Sequence, residues 1–111
     1  MIDEMKHELI YRAIGKAIKE VFDMDIESVF ATRLKTKREI TDIRMMSMKV
    51  IHDESLLNYK DIGDMFSRTK SGIRVNVISA SNYICTDLIF RNNFNRLKTA
   101  YIKFIHEKES E

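Results

Sequence analysis

The chain predicts an all-α protein, a compact bundle of about six helices with an embedded helix-turn-helix, and three observations carry that prediction. Proline is absent and only three glycines occur in 111 residues, Gly15, Gly63 and Gly72, whereas a β-rich fold needs more turn-forming residues than that. Apolar residues recur at three- and four-residue spacing through most of the chain. Apolar content of 44% beside 32% charged residues suits one soluble core, and the length suits one domain. That domain is expected over residues 1–106, with a frayed tail at 107–111.

The first helix is expected over Ile2–Phe22. Met5, Leu9, Ala13, Ala17 and Val21 join Ile10, Ile14 and Ile18 in a broad apolar stripe. Lys6, Glu8, Arg12, Lys16 and Glu20 take the other face. Gly15 in mid-helix costs about 1 kcal/mol relative to alanine, which points to close packing there. Asp23-Met24-Asp25 then connects to a short helix, Ile26 to Ala31, capped by Asp25. Thr32 to Glu39, TRLKTKRE, reads as a basic loop running into a helix from about Arg38 to Asp53. Ile40, Ile43, Met46, Met48, Val50 and Ile51 supply its buried side, with Met45 near the boundary and Arg44 on the face opposite Ile40 and Ile51.

The stretch from Asn58 to Asn82 carries the motif. Asn58 suits an N-cap, with the Asp61 carboxylate near the positive helix end. Ile62, Met65 and Phe66 form the apolar face, and Gly63 lets another helix approach closely. Ser67-Arg68 breaks the pattern, and Thr69 caps a second helix with Ile73, Val77, Ala80 and Ile84 inside. Its first turn offers Lys70, Ser71 and Arg74, with Asn76 farther along. Amides, hydroxyls and cations at a helix start suit phosphates and base edges. An ordinary helical hairpin with a solvated face is the plainer reading of the same pattern. The second helix is expected to continue to about Phe90, with Cys85 and Leu88 prolonging its apolar side and Cys85 a small core residue. Asn92-Asn93 marks a break before a last helix, Phe94 to about His106. Its Phe94, Leu97, Tyr101, Phe104 and Ile105 suit either core closure or a homodimer contact.

The net charge of +2 is low for a nucleic-acid binder, but its distribution matters more. Residues 1–31 hold four basic and seven acidic side chains, and residues 32–49 hold six basic and two acidic. Residues 50–66 are again acidic, and residues 67–74 carry Arg68, Lys70 and Arg74 with no acid. The loop cations Arg33, Lys35, Lys37 and Arg38 suit a phosphate backbone or minor groove, and a solvated surface loop is the bland alternative.

Other chemistries find little support. Asp23, Asp25 and Glu27 read as caps rather than metal ligands, and His7, His52 and His106 lack ligand spacing. No phosphate-binding GxxxxGK[S/T] run and no nucleophile–base pair is visible, so no enzyme, metal or cofactor is expected. A single cysteine and the absence of a span of about 18 apolar residues fit a reducing cytoplasm and no membrane.

Three segments, TKREITDIRMMSMKVI, LNYKDIGDMF and SRTKSGI, give these pieces a family resemblance. Their order and spacing resemble the C-terminal DNA-binding domain of the bacterial replication initiator family DnaA, over most of residues 6–104. REITDIRMMSM is similar to that family's RxIVxARQIAM, which places Arg38 and Arg44 at matching positions, the arginine of this helix reading DNA beside the minor groove. Asn58, Ile62, Gly63 and Phe66 match its next helix. Arg68, Thr69, Lys70, Ser71, Gly72 and Ile73 stand where its signature has arginine, aspartate, histidine, two hydroxyl residues and an aliphatic. The resemblance implies a double-stranded DNA binder without the preceding ATPase domain, such as a phage, plasmid or mobile element would carry. The implied contacts are Arg33, Lys35, Lys37, Arg38, Arg44, Arg68, Thr69, Lys70, Ser71, Arg74 and Asn76. Thr69-Lys70 replaces the family's aspartate–histidine pair, so the fold is implied more firmly than the target sequence. A protein-interaction module on the same fold, using the Tyr101–Ile105 surface, is the alternative.

Overall fold

Six helices follow one another in the computed structural model, which describes residues 2–31 and 37–110. They are α1 (Ile2–Phe22), α2 (Ile26–Phe30), α3 (Arg38–Ser55), α4 (Tyr59–Phe66), α5 (Lys70–Thr86) and α6 (Leu88–Ser110). No strand occurs among the described residues, so the expected all-α bundle is what the chain forms.

The hub is α3. Ile43, Met45, Met46, Met48, Val50 and Ile51 are all buried on it, and it packs against each of the other five helices. A helix with so many neighbours carries a broad apolar face, and its charged residues are left to the strip that stays outside. Ser47, a buried polar residue on that face, donates its hydroxyl to the Ile43 carbonyl at 2.7 Å, which satisfies it within the helix. Three methionines, Met45, Met46 and Met48, fill the irregular space where several helices converge.

The flanks follow from amphipathic faces. Along α1, Ile10, Ala13, Ile14, Ala17 and Ile18 are buried and meet α6 through Phe94, Leu97, Ala100 and Tyr101, also buried. The Tyr101 hydroxyl hydrogen-bonds Ser55 Oγ at the end of α3, so the polar tip of that ring is satisfied inside. Tyr101 is only 1% exposed. The last helix therefore closes the core, and Tyr101 cannot belong to the partner surface expected at Tyr101–Ile105. Met5, expected on the α1 stripe, is exposed. At Gly15 an added Cβ would lie 3.4 Å from Ile26 Cγ2, so α2 does pack on that glycine.

Two boundaries differ from the sequence expectation. The break near the end of the chain falls at Asp87, not at Asn92-Asn93. Asp87 adopts an extended conformation, φ −127° and ψ 110°, and its Oδ1 accepts from Phe90 N at 3.1 Å. That bond starts a new helix, and the two asparagines ride inside it. Cys85, off the register of Ile73, Val77 and Ala80, is exposed rather than in the core, and Leu88, beyond the stop of α5, is exposed as well. The second difference is at the end, where α6 runs through Ser110 rather than stopping near His106; Glu111 lies outside the described residues.

Candidate nucleic-acid interface

The motif is built from two capped helices and a turn of three residues. Asn58 Oδ1 accepts from Asp61 N at 2.8 Å, and Thr69 Oγ1 accepts from Gly72 N at 3.0 Å. Both caps expected in the motif are therefore formed, and each satisfies an amide that the helix start would leave without a partner; the Asp25 side chain, expected to cap α2, makes no such bond. Between them Ser67 takes the left-handed conformation, φ 56°. Arg68 N then reaches back to the Gly63 carbonyl at 2.8 Å, the six-to-one bond that closes a helix end of this kind. This turn lays the Arg68 backbone on Gly63. A Cβ at Gly63 would sit 2.5 Å from the Arg68 oxygen, so glycine is required there by contact rather than by dihedral angle.

The turn points the start of α5 outward. Thr69, Lys70, Ser71 and Arg74 are exposed together on its first two turns. Asn76 is half-buried and donates its amide to the Gly72 carbonyl at 2.7 Å, folding back on its own helix. From Ser67 to Thr86 the chain contains no carboxylate. The cleft between α4 and α5, about 520 Å³ and lined by Gly63, Arg68, Thr69 and Gly72, also carries Asp64. Asp64 is paired with Lys60 at 3.3 Å. An anion would meet that carboxylate inside the cleft, so the surface suited to a polyanion is the outer side of α5.

Arg44 and Arg68 have gone elsewhere. Arg44 Nε donates to the Val29 carbonyl at 2.9 Å and Arg68 Nη2 to the Phe30 carbonyl at 3.1 Å. Both acceptors lie at the last turn of α2, where cations complement the negative helix end. The Arg68 guanidinium also lies 5.7 Å from the Phe30 ring centre, and Phe30 stacks on Phe66 at 4.0 Å. Burial first, and then the charge of Arg68, push the Arg44 guanidinium below its ordinary value. Two arginines expected to face a ligand thus hold α3 and the motif turn onto α2.

The remaining cations are split. Lys37 and Arg38 are exposed at the start of α3, and the Arg38 guanidinium lies 5.9 Å from the centre of the Tyr83 ring. Tyr83 is about 20 Å along α5 from Lys70. Arg38, with Lys37 beside it in the chain, therefore sits toward the opposite end of α5 from Lys70 and Arg74. Arg33 and Lys35 lie outside the described residues.

Sequence reasoning overlooked Val75 and Ile78, which are 59% and 40% exposed on the outer face of α5. The signal was present, since neither fits the buried register of Ile73, Val77 and Ala80. No group of three or more metal-ligating side chains occurs among the described residues, and no helix of theirs is long and apolar enough to cross a membrane. No protein family, curated protein or solved structure matches this chain.

Proposed function

We propose that the chain binds double-stranded DNA with the first turns of α5 in the major groove, as the resemblance to the initiator's DNA-binding domain implies. One observation carries the reading. A short turn locked at Gly63 presents Thr69, Lys70, Ser71 and Arg74 on the exposed start of a helix that has no acid anywhere along it. Such a surface attracts a polyanion and offers donors to phosphates and to guanine edges. Lys37 and Arg38, at the far end of the same helix, supply backbone contacts on a second stretch of duplex. Arg44 and Arg68 serve indirectly, by fixing the motif on α2. The preferred sequence is expected to differ from the initiator's, because Lys70 brings a cation with three donors where the family has histidine.

Titration of duplex affinity against salt tests the reading. With roughly 4–6 phosphates neutralised, the log–log slope should be about −4 to −5. A flat response at measurable affinity would sink it. A second reading gives the same fold a protein partner, and one observation favours it: Leu88 and Ile89 at the start of α6 are 61% and 74% exposed, adjoining large apolar surfaces of the kind that partners cover. Duplex binding unaffected by Leu88→Ser and Ile89→Ser assigns that corner to something other than DNA.

A further inference from the structure

The outer face of α5 is not uniformly polar. Ser71, Val75 and Ile78 follow one another at four- and three-residue spacing and so share one line along the helix. Val75 and Ile78 are 59% and 40% exposed, while Ile73, Val77 and Ala80 turn to the core. The line spans about 10 Å from the Ser71 hydroxyl end to the apolar Val75 and Ile78, close to three base-pair steps. Lys70 and Arg74 border it, and no carboxylate lies on the helix.

We propose that Val75 and Ile78 recognise the 5-methyl groups of thymines, so that the preferred duplex carries thymine rather than cytosine beneath them. The inference rests on the DNA-binding reading and adds to it the base chemistry of the site. Three observations select this occupant over a second protein chain. The line continues from the hydroxyl and cations of the first turn, along the helix direction that a major-groove reader follows. It is narrow, one side chain wide, where a protein interface needs a broad patch. The helix that carries it is cationic at its start and holds no carboxylate along its length, which complements the phosphates of a groove. In the major groove thymine alone among the four bases offers a methyl group, and two β-branched side chains with no polar atom can read nothing else there.

The test uses the full chain and a duplex recovered by selection from a random library. Each thymine is replaced in turn by deoxyuridine, which removes the methyl and changes no hydrogen-bonding group. At one or two positions wild-type affinity should fall about fourfold, the size of losing one apolar methyl contact. Val75→Ala and Ile78→Ala keep the helix, since both residues face outward, and should each bind the thymine and uracil duplexes equally at one of those positions. At such a position 5-methylcytosine should bind the wild type more tightly than cytosine does, and the two alanine variants should not distinguish them. Equal binding of thymine and uracil duplexes, with the steep salt dependence intact, overturns this inference and leaves the DNA-binding reading standing. Selection that recovers no preferred duplex, despite salt-sensitive binding, overturns it too. A self-associating protein whose dimer is dissolved by the two alanine changes, with uracil substitution silent, assigns the line to a second copy and overturns it. Failure to bind any duplex removes the DNA-binding reading itself and this inference with it.

Discussion

Single residues in this chain carry two jobs that look alike in sequence. Arg44, Arg68 and Arg74 all sit in basic stretches, yet only Arg74 faces outward. Arg44 gives its Nε to Val29 on a neighbouring element, an arrangement that a helical wheel cannot show because the acceptor is a backbone carbonyl fifteen residues upstream. Removing it should therefore lower stability by about 1–3 kcal/mol, the range for stripping a half-buried acceptor of its donor. Chemical denaturation of Arg44→Ala measures this directly. A stability equal to wild type would show that Arg44 is not a strut, and any loss of ligand affinity would then report contact. Glycine was more legible. Gly63 was expected to admit a close neighbour and does so, although the neighbour is the Arg68 backbone of the turn rather than another helix.

At the scale of elements, starts were easier to foresee than stops. Asn58 and Thr69 announce helix starts by a side chain that accepts from an amide three residues on, and that chemistry is local. Helix ends are set differently here. Asp23, Leu56 and Ser67 take positive φ of 55°, 54° and 56° at the ends of α1, α3 and α4, and no described glycine does. A left-handed leucine costs roughly 1–2 kcal/mol; the Leu56 side chain is exposed, and the turn is held by its neighbours, Ser55 bonded to Tyr101 and Leu57 buried, which no local pattern reveals. Asp87 escaped notice for a related reason: its run, Cys85-Thr86-Asp87-Leu88, has no glycine or proline to interrupt it.

Asp87, between α5 and α6, shares a cleft with Asp42 of α3, and the pair yields a pH prediction. Asp42 is raised above its usual 3.8, first by burial and also by the charge of Asp87, while Arg38 opposes the shift. A carboxyl with a raised folded value takes up its proton in the folded state before it does so in the unfolded state. It therefore costs stability above that raised value, and the cost is relieved as pH falls through it toward 3.8. Asp42→Asn should be more stable than wild type at neutral pH, with the advantage shrinking under acid. Urea titrations at neutral pH and near pH 4 compare the two, and an advantage that grows in acid would contradict the assignment.

Considered whole, the described residues form one apolar cluster that takes side chains from all six helices. The radius of gyration, 13.1 Å, is what a single domain of this length should have. No helix can leave without opening that cluster, so unfolding is expected to be two-state. Helical circular dichroism and tyrosine fluorescence, reporting Tyr11, Tyr59, Tyr83 and Tyr101 on α1, α4, α5 and α6, should give coincident transitions. Separate midpoints would mean that part of the bundle melts alone. The architecture was the most legible property of the sequence, because burial periodicity is summed over many residues. The hub was the least, since α3 reads as one amphipathic helix among several until its neighbours are in place.

Residues 67–69 leave no slack between α4 and α5. The Gly63 carbonyl is engaged by the turn, and the glycine itself is in contact with the Arg68 backbone. The pair thus meets any ligand with a fixed curvature and no hinge with which to adjust it. If that ligand is a duplex, the work of fitting falls on the nucleic acid: its groove must widen or its axis bend. Stiff and flexible sequences would then be sorted by mechanics as well as by their bases, even at steps no side chain reaches.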